Sequence, residues 1–205
     1  MKATIVLNGN IDETLVLNTN HIIAVDGGAK LLKKRNILPN IVIGDLDSID
    51  NETIDFLKKQ SVKIIEYPKE KDETDCELAI KYALENGFKE IEIINFQGER
   101  IDMIFALYGL LKKFDANIYL NSEKLESAIL KENNTLEKEV KIGEIWSFIP
   151  LCNSTFMIEG FKYPFNGNMG IENPIGVSNE TTAEKIKIHV EKGEVIYFRW
   201  KKKPL

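Results

Sequence analysis

Apolar residues recur along the first 120 positions in short blocks rich in Ile and Val: residues 4–7, 21–25, 41–43, 62–65, 91–94 and 117–120. Each block is strand-sized. Between them, residues 29–34, 51–59, 75–85 and 101–113 carry apolar positions at helical spacing. Alternation of strand and helix predicts an α/β domain with a mainly parallel sheet flanked by helices. Thr74-Asp75-Cys76-Glu77 reads as a capping box at the start of the third helix, and Asn86-Gly87 as its stop.

The period changes after about Asn121. Alternation of two takes over, with turn signals at Asn133-Asn134, Gly143, Asn153, Gly167 and Gly193. Residues 185–200 read as a hairpin around Glu191-Lys192-Gly193-Glu194. Several short strands need two packed layers, so the second domain is expected to be all-β, sandwich-like or a partial barrel. The predicted division is 1–121 and 122–205, with no Pro/Ser-rich linker and no internal repeat.

Composition narrows the function. The chain has 205 residues, 43% hydrophobic and 29% charged, as in ordinary globular proteins. No apolar run approaches the roughly 20 residues of a membrane span. The N-terminal block is broken at Asn8-Gly9 and reads as a first strand rather than a signal peptide. A net charge of −5 offers nothing toward nucleic acid or an anionic membrane. Lys201-Lys202-Lys203 reads as a solvated chain end. Cys76 and Cys152 lack metal-type spacing, which suggests a reducing cytoplasm. His21 and His189 have no Ser, Cys or ligand neighbour at useful spacing, so triad hydrolysis and His-rich zinc sites are poor fits.

The chemistry therefore falls to carboxylates, backbone amides and a few cations. Four polar clusters follow predicted strands: Asp26-Gly27-Gly28-Ala29, Gly44-Asp45-Leu46-Asp47-Ser48, Lys71-Asp72-Glu73-Thr74-Asp75, and Gln97-Gly98-Glu99-Arg100-Ile101-Asp102. Each alone has a plain structural reading as a turn, a helix start or a solvated loop. Together, at successive strand ends, they are expected to converge on one crevice. Crowded carboxylates call for a cation, and hard oxygen ligands suit Mg²⁺ with substrate phosphates. Glycine amides and Arg100 would then hold the phosphates. There is no Gly-x-x-x-x-Gly-Lys-Ser/Thr loop and no Gly-x-Gly-x-x-Gly fingerprint, which leaves an unconventional phosphoryl-type transferase.

These four clusters, with Gly160-Phe161-Lys162-Tyr163-Pro164 and Gly176-Val177-Ser178-Asn179-Glu180, resemble the thiamine pyrophosphokinase family in order and spacing over nearly the whole chain. The resemblance implies a catalytic domain that binds ATP and Mg²⁺ over 1–121 and a thiamine-binding β-sandwich over 122–205. It implies a homodimer with thiamine near the interface, and a reaction that gives thiamine diphosphate and AMP. It assigns Asp45, Asp47, Asp72 and Asp75 to catalysis, with Asp45, Asp47 and Asp75 on the metal. Asp26, Gly27, Gly28, Lys71, Gly98, Arg100 and Asp102 fall to ATP, and Tyr163, Ser178 and Asn179 to thiamine. The fourth motif departs from the family form: Glu99 stands where glycine is usual, and Met103 where histidine is common. Two alternatives stay open: a pyrophosphokinase of a pterin-type alcohol on the same fold, and a non-catalytic nucleotide or thiamine-phosphate sensor.

Overall fold

Strands built from Ile, Val and Ala leave no face for water, and they lie in the middle of the first sheet. The computed structural model describes residues 1–10, 17, 19 and 21–204, in two units, Met1–Ser122 and Glu123–Leu205. The first unit runs β1 (Lys2–Val6), β2 (Ile22–Val25), α1 (Gly28–Lys34), β3 (Ile41–Gly44), α2 (Asn51–Lys59), β4 (Lys63–Glu66), α3 (Asp75–Glu85), β5 (Glu90–Ile94), α4 (Ile101–Lys113) and β6 (Asn117–Asn121). Its strands are all parallel, in the order β4-β3-β2-β1-β5-β6. β2 and β3 are buried along their whole length, while the edge strand β4 carries exposed Lys63 and Glu66. That is how a parallel sheet buries its centre and blunts its edge. Val6, Ala24, Val42 and Ile94 form one core with Ala29 and Leu32 of α1 and Leu57 of α2.

The helix starts are specified locally. Asp50 caps α2 by accepting from the Thr53 N–H at 2.8 Å, and Thr74 caps α3 by accepting from the Glu77 N–H at 3.2 Å. Only half of the expected capping box forms. The Glu77 carboxylate pairs instead with Lys113 at 2.7 Å and Lys81 at 3.0 Å, tying α3 to the end of α4. Gly87, at φ +81°, closes α3 as expected.

The second unit runs β7 (Leu125–Leu130), β8 (Thr135–Glu139), β9 (Ile145–Pro150), β10 (Ser154–Glu159), β11 (Phe165–Met169), β12 (Asn179–Glu180), β13 (Lys185–Lys192) and β14 (Val195–Trp200). Two antiparallel sheets form, β12-β9-β14-β7 and β11-β10-β13-β8. Trp146, Phe148, Phe156 and Phe161 fill the core, with Phe148 edge-on to Phe161 at 5.3 Å. The expected α/β-plus-sandwich architecture is thus observed. Two local expectations fail. Residues 185–200 are not a hairpin: β13 pairs with β8 and β10, β14 with β7 and β9. Gly193, at φ +87°, turns the chain from one sheet to the other, and a side chain there would meet Ser154 at 2.4 Å. Alternation specifies strands but not their partners. Gly167 lies within β11 rather than in a turn.

Candidate active site

In the first unit the chain moves outward from β1 through β2, β3 and β4, then returns to place β5 on the other side of β1. Such a reversal opens a crevice beyond the carboxyl ends of the strands. A cavity of about 540 Å³ lies there, lined by the loops after β1, β2 and β5 and the first turns of α3 and α4. Asp26 and Asp75 line it together with Phe96, Met103 and Leu107.

The acids do not form one even cluster. Asp26 has a left-handed backbone, φ +44°, and its Oδ1 accepts from the Leu46 N–H at 3.2 Å. A Cβ at Gly44 would sit 1.7 Å from that oxygen, so this glycine is what admits the carboxylate. Burial pushes the Asp26 carboxyl up to about 7, with the charge of Asp75, within hydrogen-bonding reach, and that of Asp45 adding to it. Asp75 opens α3, and its Oδ1 is buried without a well-directed hydrogen bond. Lys71 Nζ stands 2.9 Å from it, held by charge rather than by hydrogen-bond geometry. Asp45 accepts from the Asp47 N–H at 3.0 Å. Both face a neighbouring depression with Lys58 and Glu66, and Asp47 pairs with Lys69 at 2.7 Å. Asp72 is exposed.

The buried Asp75 oxygen, without a directed hydrogen bond and beside Asp26, fits a divalent cation. Among the described residues no three His, Cys, Asp or Glu side chains converge in ligating geometry, so Asp45, Asp47 and Asp75 are not a ready-made cage. One or two carboxylates completed by phosphate oxygens is the usual arrangement for Mg²⁺, and these residues match it.

The glycines have specific structural partners. The Gly27 N–H donates to Ser48 Oγ at 2.8 Å, bracing the loops after β2 and β3. Gly28 lets α1 approach β1, since a Cβ there would lie 2.2 Å from the Val6 carbonyl. Gly98 has open space around it. Arg100 is exposed and grips Asp102, its Nε 2.8 Å from Oδ1, and this holds the Asp102 carboxyl down at about 2. Glu99 lines the cavity and makes no ion pair among the described residues. Met103 lines it too, half-exposed.

In the second unit Tyr163 is exposed, with Lys162 Nζ 5.7 Å from its ring centroid. Buried Asn179 accepts from the Tyr163 N–H at 3.1 Å and donates to its carbonyl at 2.8 Å. Its side-chain oxygen also accepts from the Glu180 N–H at 3.0 Å. Ser178, at φ +60°, is exposed, and its N–H donates to Ser147 at 3.1 Å. Tyr163 and Asn179 border a cavity of about 270 Å³ walled by Phe148, Phe156 and Phe165.

Sequence reasoning missed Asn8, Gly9 and Asn10, which line the main cavity after β1. Gly9 packs so closely that a Cβ would sit 2.1 Å from the Asn95 carbonyl. The signal was present: Asn-Gly-Asn follows the first apolar block at a strand end, as the four chosen clusters follow theirs. Lys69 was missed as well.

Comparison with known proteins agrees with this geometry. Residues 13–120 match the family described as thiamin pyrophosphokinase, catalytic domain, and residues 133–195 the one described as thiamin pyrophosphokinase, vitamin B1 binding domain. A thiamine pyrophosphokinase of Bacillus subtilis (strain 168) is 30% identical over 190 residues, 86% of each chain. Among solved structures, thiamine pyrophosphokinase from Bacillus subtilis aligns with a TM-score of 0.87 at 25% identity, covering 99% of this chain and 100% of that one. The enzyme from Candida albicans shares the fold, with a TM-score of 0.79 at 17% identity over 97% of this chain and 88% of that one. With its reversal-point crevice, its paired acids and a match to both halves, the chain belongs to the thiamine pyrophosphokinase family.

Proposed function

We propose that the chain transfers the diphosphate of ATP to the primary hydroxyl of thiamine, giving thiamine diphosphate and AMP, with the first unit as the ATP and metal domain and the second as the thiamine domain. The observation that carries this reading is the Asp26–Asp75 pair beside a cavity of about 540 Å³ at the sheet's reversal point. A site with surplus carboxylate and no usable histidine suits a reaction run by positioning and charge neutralisation.

Asp75, with Asp45 and Asp47, would hold Mg²⁺. The ion, when bound, neutralises phosphate charge and polarises the phosphoryl oxygens. Burial, with the charges of Asp75 and Asp45, raises the Asp26 carboxyl to about 7, where it can hold a proton near neutrality. Lys71 and Arg100 supply cations to the phosphates, Arg100 after releasing Asp102. Gly27 and Gly28 shape the loop, Gly98 keeps the cavity mouth open, and Asp72 sits at the rim. Tyr163 offers an aromatic wall to the cationic thiazolium and the flat pyrimidine, Ser178 lies beside it, and Asn179 positions it.

The reading includes a homodimer. Each unit exposes large apolar side chains: Phe105 (73% exposed) and Ile101 on α4, and Ile175 (74%) and Ile171 in the second unit. Phe105→Glu should shift the dimer toward monomer in light scattering. Both cysteines are unpaired, which supports a reducing, cytoplasmic setting. No helix among the described residues is long and apolar enough to cross a membrane.

The test is incubation with ATP, Mg²⁺ and thiamine. AMP appearing with thiamine diphosphate supports the reading. Turnover only with a pterin alcohol, or nucleotide binding without turnover, replaces it.

A further inference from the structure

The loop between β4 and α3 carries two lysines that meet the acids in different ways. The Lys71 side chain is mostly buried, and its Nζ is fixed both by Asp75 and by the Pro68 carbonyl at 3.0 Å. Lys69 is 75% exposed and Asp47 50%, joined at 2.7 Å. That is the one hydrogen bond Lys69 makes among the described residues. An exposed pair of this kind contributes little to folding, because water screens it and two long side chains lose freedom. A fold-stabilising purpose therefore does not account for it.

The pair does have an electrostatic setting. Asp47 lies two residues from Asp45, whose charge reaches Asp26 and Lys71. Without a metal, a mobile ammonium is the readiest source of positive charge for this rim. When a metal–nucleotide arrives it brings a divalent cation that wants Asp47 and phosphate oxygens that want an ammonium. A flexible four-carbon stem with three donors can serve either partner.

We infer that Lys69 is an exchangeable counter-cation: it occupies Asp47 while the nucleotide site is empty, and moves to a phosphate oxygen of the incoming metal–triphosphate, freeing Asp47 for the divalent cation. This rests on the proposed assignment of Asp47 to the metal. It predicts effects of opposite sign from one substitution, which a merely structural lysine would not give.

The experiment measures Mn²⁺ binding to nucleotide-free protein by the electron paramagnetic resonance of free Mn²⁺, and the KM for ATP at saturating Mg²⁺. Lys69→Gln is expected to tighten Mn²⁺ binding by about two- to fivefold and to raise the KM for ATP by a similar factor, the scale of one exposed ion pair. Lys69→Arg should keep both near the parent values. Asp47→Asn serves as the control. Should it leave Mn²⁺ affinity unchanged, or should the parent show no Mn²⁺ binding, the metal assignment itself falls and the inference with it. Where Asp47→Asn weakens Mn²⁺ binding but Lys69→Gln leaves it unchanged or weaker, or leaves the KM for ATP unchanged, the exchange is overturned and the metal site stands.

Discussion

Each unit withdraws carboxylates from water, and the two treat them in opposite ways. In the first, Asp26 is half-buried beside Asp75 and Asp45, and burial followed by their charges lifts its carboxyl to about 7. In the second, burial also pushes Glu126 and Glu144 upward, but their cations outweigh it and both end below the usual range. Glu126 contacts Lys138 and accepts from the Tyr197 hydroxyl at 3.1 Å. Arg199 reaches Glu144 through Nε at 2.8 Å and a second nitrogen at 3.0 Å, and stacks over Trp146. The sandwich holds Glu126 and Glu144 against fixed cations, whereas in the α/β unit Lys69 and Lys71 pair with Asp47 and Asp75 and, among the described residues, no ion pair reaches Asp26. That deficit at Asp26 marks the ligand site, since a metal and its nucleotide bring the missing balance.

The signs of the pH dependence follow. Asp26 is raised, so its contribution to stability is complete below an unfolded carboxyl value of about 4 and is lost as pH rises through about 7. Glu126 and Glu144 are lowered, so theirs is present above about 4.3 and lost as pH falls through their folded values.

The largest expected effect breaks the compensated region. Arg199→Met leaves Glu144 without its bidentate partner and should cost about 3 kcal/mol of stability, measured by urea unfolding at pH 7. At the ligand site the outcome reverses. Asp75→Asn should lower kcat by at least ~100-fold, the scale of one preorganised electrostatic group, while Asp26→Asn should not lower the Tm of the metal-free protein. A loss of stability like that of Arg199→Met would erase the distinction between the two regions.

How much of this was legible beforehand depends on what each residue answers to. The buried strands β2 and β3 were legible because Ile and Val runs are their own signal. Asp26, Asp45, Asp47 and Asp75 were legible as acids at strand ends. The uneven way they meet was not, because it depends on Gly44, whose missing side chain makes room for a carboxylate 18 residues earlier. Gly27 read only as a glycine beside an acid, and its hydrogen bond to Ser48 was not legible. Asn179 read only as a polar residue near a turn, and its hold on the Tyr163 backbone was not legible. In each case the local pattern was read correctly as polar or glycine-rich, and the partner came from another loop.

Smaller effects sharpen the division of labour. Tyr163→Ala should raise the KM for thiamine by roughly 2- to 30-fold, the ~0.5–2 kcal/mol of an aromatic–cation contact, and leave the KM for ATP nearly unchanged. A change confined to ATP would remove Tyr163 from the acceptor site. Glu99→Gly combined with Met103→His should change kcat/KM by less than about tenfold, or ~1.4 kcal/mol. Glu99 is exposed and Met103 half-exposed where they line the cavity, so neither is locked against the acids. A gain of several orders of magnitude would mean that this chain is impaired for thiamine, and would favour the pterin or sensor reading.

The deficit of counter-charge around Asp26 is most directly measured by titrating its carboxyl carbon by NMR in metal-free protein, with Asp26→Asn assigning the signal. The expected midpoint is about 7, moving sharply downward when Mg²⁺ and ATP are added. A midpoint near the ordinary value of about 4, unmoved by Mg²⁺ and ATP, would contradict the account.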